Sequence, residues 1–363
     1  MTSSQFEKAD RFRGLHQEPG FFVITNAWDA GSARILAGLG FQALATSSGA
    51  SAGVLGRRDG MVTRQEALDH AGSIVAATDL PVSADLEKGF DDAPEGAAET
   101  IRLAAIVGLV GGSIEDFTGN AEKPLFDLNH AKERVAAAAE AASKLPFPFT
   151  LTARAENFLR GNPDLDDTIR RLQAFEAAGA DVLMAPALPD LTAVKTVCAA
   201  LSRPFNFMAG IKGRSFTTEE LASAGVKRVS LATSLYRAAM SGLVNAAREV
   251  KDQGTFGYVE TTMATPELKQ LHERHFTPRM RRPPGTRKSG DRTRDRGFES
   301  ISLHRRVGCK LGPGSTPGEL CCRTTGSGAT FAMGRVARRE MILRSKRYPG
   351  VDRVVCSMAL DAD

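Results

Sequence analysis

Between residue 20 and about residue 255, short apolar runs alternate with longer amphipathic stretches. Runs at 22–25, 43–46, 81–85, 113–116, 149–153, 181–184, 205–208 and 228–232 are mostly apolar or β-branched, which suits strands buried on both faces of a parallel sheet. The stretches at 63–77, 99–107, 129–143, 165–178 and 217–224 read as helices. Two of these open with a hydroxyl followed by acids or amides, Thr63-Arg64-Gln65-Glu66 and Thr217-Thr218-Glu219-Glu220, which satisfy the unpaired N–H groups of a first turn. Gly40, Gly108, Gly179 and Gly225 stand just before strands, where glycine ends a helix in the left-handed conformation at no steric cost. Eight strand–helix repeats in about 240 residues predict a (β/α)₈ TIM barrel rather than an open doubly wound sheet. No glycine-rich dinucleotide fingerprint follows the first strand, which also weighs against the open sheet.

After Gly254 the alternation stops, and residues 264–276 read as one more amphipathic helix. Residues 277–363 hold 19 Lys and Arg against 8 Asp and Glu, whereas the first 276 residues hold 28 against 34. The overall charge of +5 therefore averages two unlike segments. The organisation expected is a catalytic barrel over 1–260, a C-terminal helix within 261–276, and a basic Gly/Pro/Arg-rich tail over 277–363 that is largely disordered. Gly297-Phe298-Glu299-Ser300 can be encoded by the T-arm of a tRNA gene, which favours reading the tail as a read-through or frameshift product. A nucleic-acid-binding role for the tail is weighed and set aside, because it interleaves few aromatics among its charges (Phe298, Phe331, Tyr348). Cys309, Cys321, Cys322 and Cys356 lie in the tail and only Cys198 in the barrel, so no disulfide framework is expected there. Residues 1–17 are polar and lack the apolar core of a signal peptide, and no apolar run is long enough to span a bilayer; the expectation is a cytoplasmic protein with no membrane partner.

Barrel enzymes work at the C-terminal ends of their strands. There the chain places Asp59, Asp85 and Glu115 on strands two, three and four, Arg154 on strand five and Asn206 on strand seven. Carboxylates facing one mouth repel unless a cation lies between them, and an oxygen-only set suits Mg²⁺, with Mn²⁺ as an alternative. The competing expectation is that these acids pair with Arg58 or Arg154, or cap helices. Ser48-Gly49-Ala50 offers a hydroxyl and backbone N–H groups to a substrate carboxylate, and Arg154 offers a bidentate fork.

Six segments, Ser48-Gly49, Gly56-Arg57-Arg58-Asp59, Ala84-Asp85, Ile114-Glu115-Asp116, Ala153-Arg154 and Phe216-Thr217-Thr218-Glu219-Glu220-Leu221, resemble the isocitrate lyase / phosphoenolpyruvate mutase superfamily over roughly residues 20–255. Within it the chain looks most like the carboxyvinyl-carboxyphosphonate phosphorylmutase-like and 2-methylisocitrate lyase-like group. The resemblance implies Mg²⁺ held by Asp85 and Glu115 with Asp59 in support, and a small carboxylate bound by Ser48, Gly49 and Ala50. It also implies that Arg154 neutralises developing charge, and that the chain forms a homo-oligomer, a tetramer in related proteins. The activity implied is C–C bond cleavage of a small 2-hydroxy or 2-oxo dicarboxylate through an enolate-type intermediate, with P–C chemistry as mutase or hydrolase the alternative.

The chain departs from the family pattern in three places. Ser83 replaces an aspartate of the strand-three motif, and strand six ends in Ala185-Pro186-Ala187 where lyases often present a glutamate. The loop after strand four, residues 117–125, lacks the Lys-Lys-Cys-Gly-His motif of isocitrate lyases, which argues against a true isocitrate lyase. Lys123 and Asn120 are the loop groups left to protonate or orient a substrate, on a segment that Gly119 would let close as a lid.

Overall fold

A computed structural model describes residues 3–214 and 216–273, together with the backbone of 343–346 and 355–358. Eight parallel strands close into a barrel in sequential order: β1 (Phe22–Asn26), β2 (Leu44–Ala45), β3 (Val82–Asp85), β4 (Gly111–Glu115), β5 (Thr150–Arg154), β6 (Val182–Met184), β7 (Phe205–Met208) and β8 (Arg228–Ser230). The helices are α1 (Gln5–Gln17), α2 (Ala30–Gly38), α3 (Ser48–Val54), α4 (Arg64–Ala77), α5 (Pro94–Ile106), α6 (Leu128–Ser143), α7 (Leu165–Ala177), α8 (Leu191–Ala199), α9 (Thr218–Ser223), α10 (Ser234–Gln253) and α11 (Thr265–Glu273). The barrel fold read from the periodicity is the fold observed.

Local chemistry explains most boundaries. The capping boxes expected at Thr63/Glu66 and Thr217/Glu220 both form, and Ser4/Glu7 makes a third at the start of α1. Helix α5 starts five residues before the expected point, because Pro94 occupies its first turn, where a missing N–H costs nothing. Strand β4 begins two residues early, at Gly111-Gly112, which a reading by strand propensity omits. A Cβ at Gly111 would stand 2.8 Å from the Phe12 ring and 2.9 Å from the Thr150 carbonyl oxygen, so only glycine lets β4 pass there.

The main core lies between the outer faces of the strands and the surrounding helices, with Leu68, Ile74, Ile101, Leu172 and Phe175 among its fully buried members. A second cluster closes the barrel floor, where Ala9 and Phe12 of α1 pack on Phe22, Ile24 and Val110. Helix α11 covers part of the expected 264–276 segment. The chain divides into the units Met1–Gly285 and Thr286–Asp363. In the second unit, Leu343–Lys346 pairs antiparallel with Val355–Met358. The other residues from 274 onward, on which the expected disorder, the read-through reading and the nucleic-acid question fall, lie outside the described residues. No helix among the described residues is long and apolar enough to cross a membrane.

Candidate active site

A cavity of about 680 Å³ opens at the C-terminal ends of the strands. Its wall includes Ser48, Asp59, Asp85, Glu115, Arg154 and Asn206 from the expected set. Gly49 and Ala50 do not line it: they lie inside α3, where Ala50 is buried and Gly49 abuts Asp59 and Thr233. Asn120 and Lys123 do not line it either, and both are exposed. Their loop folds into a small hairpin through a bridge between Phe117 and Leu125, and the Thr118 N–H donates to the Pro124 carbonyl at 2.8 Å. The Asn120 side chain accepts from the Glu122 N–H at 2.9 Å within that hairpin, and Lys88 Nζ donates to the Thr118 carbonyl at 2.8 Å.

Arg154 organises the mouth. Its Nη1 donates to Asp85 Oδ1 at 2.9 Å, and its Nη2 reaches Glu115 Oε2 at 2.9 Å and Glu156 Oε1 at 2.7 Å. Burial alone would make this guanidinium easier to deprotonate, but Glu115, Glu156 and Asp85 outweigh burial and hold its pKa well above the usual arginine range. Arg160 adds a second cation, with Nε 3.0 Å from Glu156 and its guanidinium 3.6 Å over the Phe117 ring. Three carboxylates therefore surround two guanidinium groups. Burial, with Glu156 and Asp85 adding to it, pushes Glu115 upward against the pull of Arg154. Asp116, the next residue, turns away from the mouth to Arg171 at 3.1 Å, and burial raises it to about 6.

Glu87 also faces the cavity, two residues beyond β3, with φ of 49° in the left-handed region that non-glycine residues seldom adopt. Burial, followed by repulsion from Asp85 and Asp59, raises its carboxyl to about 7. Arg134 fixes the segment that follows, donating to the Asp91 carbonyl at 2.7 Å. Sequence reasoning assigned Glu87 no role, because its approach to Asp59 depends on the conformation of the loops that follow β2 and β3. Arg160, Lys212 and Arg237 also line the cavity and were not anticipated. Arg160 is itself paired with Glu156 and Glu115, whereas Lys212 and Arg237 add positive charge to the lining that suits a small anionic ligand.

Asp85 is already engaged: Oδ1 accepts from Arg154, and Oδ2 from the Ser48 N–H at 3.2 Å. Among the described residues no three Asp, Glu, His or Cys side chains gather closely enough to hold an ion directly. The chemistry still fits a hard cation held largely through water, because the donors are all oxygen and because burial, and then repulsion from Asp85 and Asp59, raises Glu87.

Residues 12–251 match the profile of the family described as phosphoenolpyruvate phosphomutase. The chain is 30% identical over 259 residues to a 2-methylisocitrate lyase of Halalkalibacterium halodurans, covering 69% of this chain and 85% of that one. It is 28% identical over 254 residues to an oxaloacetate decarboxylase of Ectopseudomonas mendocina, covering 68% and 86%. A solved structure from Burkholderia cenocepacia, provisionally classed as a lyase/mutase, is 49% identical, with a TM-score of 0.72 over 74% of this chain and 96% of that one.

Proposed function

The chain belongs to the phosphoenolpyruvate phosphomutase family, within the isocitrate lyase / phosphoenolpyruvate mutase superfamily, and from that premise we propose that it is a Mg²⁺-dependent lyase. Its substrate is a small 2-hydroxy or 2-oxo dicarboxylate, cleaved at a C–C bond through an enolate-type intermediate. The observation carrying this reading is the Arg154 guanidinium, fixed by Asp85, Glu115 and Glu156 in the wall of a cavity open at the strand ends. A guanidinium held in place before substrate arrives stabilises developing negative charge without reorganising. The names of relatives acting on C–C bonds, 2-methylisocitrate lyase and oxaloacetate decarboxylase, point the same way.

In this reading Ser48 and Asn206 help to bind and orient the carboxylate substrate, with Gly49 and Ala50 shaping the start of α3 behind Ser48. Glu87 exchanges a proton near neutral pH at its carboxyl oxygen. The 117–125 loop closes over the cavity and brings in Asn120 and Lys123, excluding water. Asp85, Glu115 and Asp59 would hold Mg²⁺, or Mn²⁺ in its place, through carboxylate oxygens and water. When bound, the ion supplies Lewis-acid stabilisation of a negatively charged substrate oxygen.

A second reading, P–C chemistry as mutase or phosphonopyruvate hydrolase, is favoured by the description of the matching family. Oxaloacetate, a dimethylmalate and phosphonopyruvate, each assayed with and without Mg²⁺, separate the two. Turnover of phosphonopyruvate alone selects the second reading, and turnover of none of them defeats both.

The chain is also proposed to act as a homo-oligomer, a tetramer by resemblance. Helix α10 runs 20 residues with none buried, and it exposes Leu243, Val244 and Val250.

A further inference from the structure

Arg228 lies across the inside of the barrel near its floor. From β8 its Nε donates to Asn206 Oδ1 on β7 at 2.7 Å, and its Nη2 donates to Thr152 Oγ1 on β5 at 2.9 Å. Its Nη1 donates to His16 Nε2 of α1 at 3.1 Å, while the His16 Nδ1–H donates to the Phe12 carbonyl at 2.7 Å. Every partner is neutral, because burial and then Arg228 itself push His16 down to about 3. No ion pair forms at Arg228 among the described residues, although the side chain is buried. Burial lowers it to about 9 with no acid opposing the shift. An unpaired buried cation is costly, and proteins seldom keep one without a counter-charge.

The surroundings leave room for that counter-charge. The interiors of such barrels are usually packed with bulky branched side chains. Here β3, β4 and β8 contribute Ser83, Ser113 and Ser230, and Arg228 lines the same cavity as they do. Three of the five guanidinium N–H donors are used. Asn206 Nδ2 donates to Ser230 Oγ at 3.0 Å, which leaves the Ser230 O–H without an acceptor among the described residues.

We propose that Arg228, Ser230 and Asn206 form a second anion site at the floor of the cavity, built for one small monoanion of carboxylate type. Thr152, which anchors Arg228, is two residues from Arg154 on β5, about 6.6 Å of strand rise, so two guanidinium groups face one cavity from successive layers. The anion has two possible sources. One is the far carboxylate of a dicarboxylate held at the mouth, which rests on the function proposed above. The other is a free ion such as formate or chloride, which does not.

Thermal unfolding of the full chain tests the site without needing turnover. Formate, chloride and succinate are titrated separately at constant ionic strength against bulky gluconate. Wild type is expected to show a saturable rise in Tm of roughly 5 °C or more at a hundredfold excess over Kd. Asn206→Asp places a carboxylate beside Arg228 with almost no change of shape, and it is expected to melt higher and lose the response. Ser230→Ala, which removes one donor, is expected to weaken binding roughly tenfold. Stabilisation by formate or chloride assigns a free ion, and stabilisation by succinate alone assigns the substrate's own far carboxylate. The site is refuted if none of the three stabilises wild type, or if the stabilisation persists undiminished in Asn206→Asp. A chain that turns over none of the assayed substrates leaves this measurement fully readable.

Discussion

Arg154 on β5 and Glu115 on β4 are register partners, and their side chains meet in a 2.9 Å ion pair with both groups buried. The pair is worth little as an isolated attraction, since burial offsets much of the Coulomb gain, but breaking it on one side strands the other charge. Arg154→Met is therefore expected to cost about 3–5 kcal/mol of stability, read as a lowered urea midpoint. Arg154→Lys keeps the charge but loses the planar fork, and is expected to fold while kcat falls by roughly 100-fold or more. Wild-type kcat in Arg154→Lys would remove the guanidinium from the chemistry.

Lys123 is exposed on the folded-back hairpin, so stability has little to lose there. Lys123→Ala is expected to leave the unfolding free energy within about 0.5 kcal/mol of wild type while lowering kcat at least tenfold. If kcat is unchanged, the lid closes, if at all, without using this amine.

His16 sets a pH dependence whose sign follows from its burial. An unfolded histidine takes up a proton near 6.5, whereas burial and then Arg228 hold His16 neutral down to about 3. Its stabilising contribution is complete above pH 6.5 and is lost as the pH falls towards 3. Between pH 7 and 4.5 wild type is expected to lose about 2–3 kcal/mol more than His16→Gln, measured by urea unfolding at the two pH values. Parallel losses in the two proteins would show that His16 is not the titrating group.

Gly111 permits the close approach of β4 to the α1 plug. Gly111→Ala forces a methyl towards the Phe12 ring and a backbone carbonyl, and is expected to destabilise by about 1–3 kcal/mol. Far-ultraviolet dichroism melts would detect it as a lower Tm. An unchanged Tm would mean that the floor yields more easily than its packing implies.

The apolar face of α10 gives a test of assembly. Leu243→Glu is expected to shift the sedimenting species towards the monomer at a given concentration, because a charge cannot be buried cheaply against a second copy. A wild-type chain that sediments as a monomer at every concentration would dispose of the oligomer.

Much of the fold was legible along the chain. Strand periodicity, the Thr63 and Thr217 caps and the glycine stops are short-range features, decided by a residue and its neighbours within a turn or two. Start points slipped at Pro94 and Gly111, where a conformational exception rather than an average preference governs the backbone. At the candidate site, Asp59, Asp85, Glu115 and Arg154 could be placed at the mouth because barrel strands all end there. Glu87, Arg160, Lys212 and Arg237 could not be given roles, since their approach depends on loop conformations between strands.

The order of amino acids alone determined that strand and helix segments repeat eight times, and hence that the eight strands must close on themselves to cover their apolar faces. Only the closed barrel decided that Asp85 and Glu115 would meet across one guanidinium, that burial beside Asp85 and Asp59 would raise Glu87, and that Arg228 would reach Thr152 without meeting an acid. Hydrophobic alternation is written locally, whereas the charge felt by a buried group is a sum over side chains dozens of residues apart, and that sum exists only once the strands stand side by side.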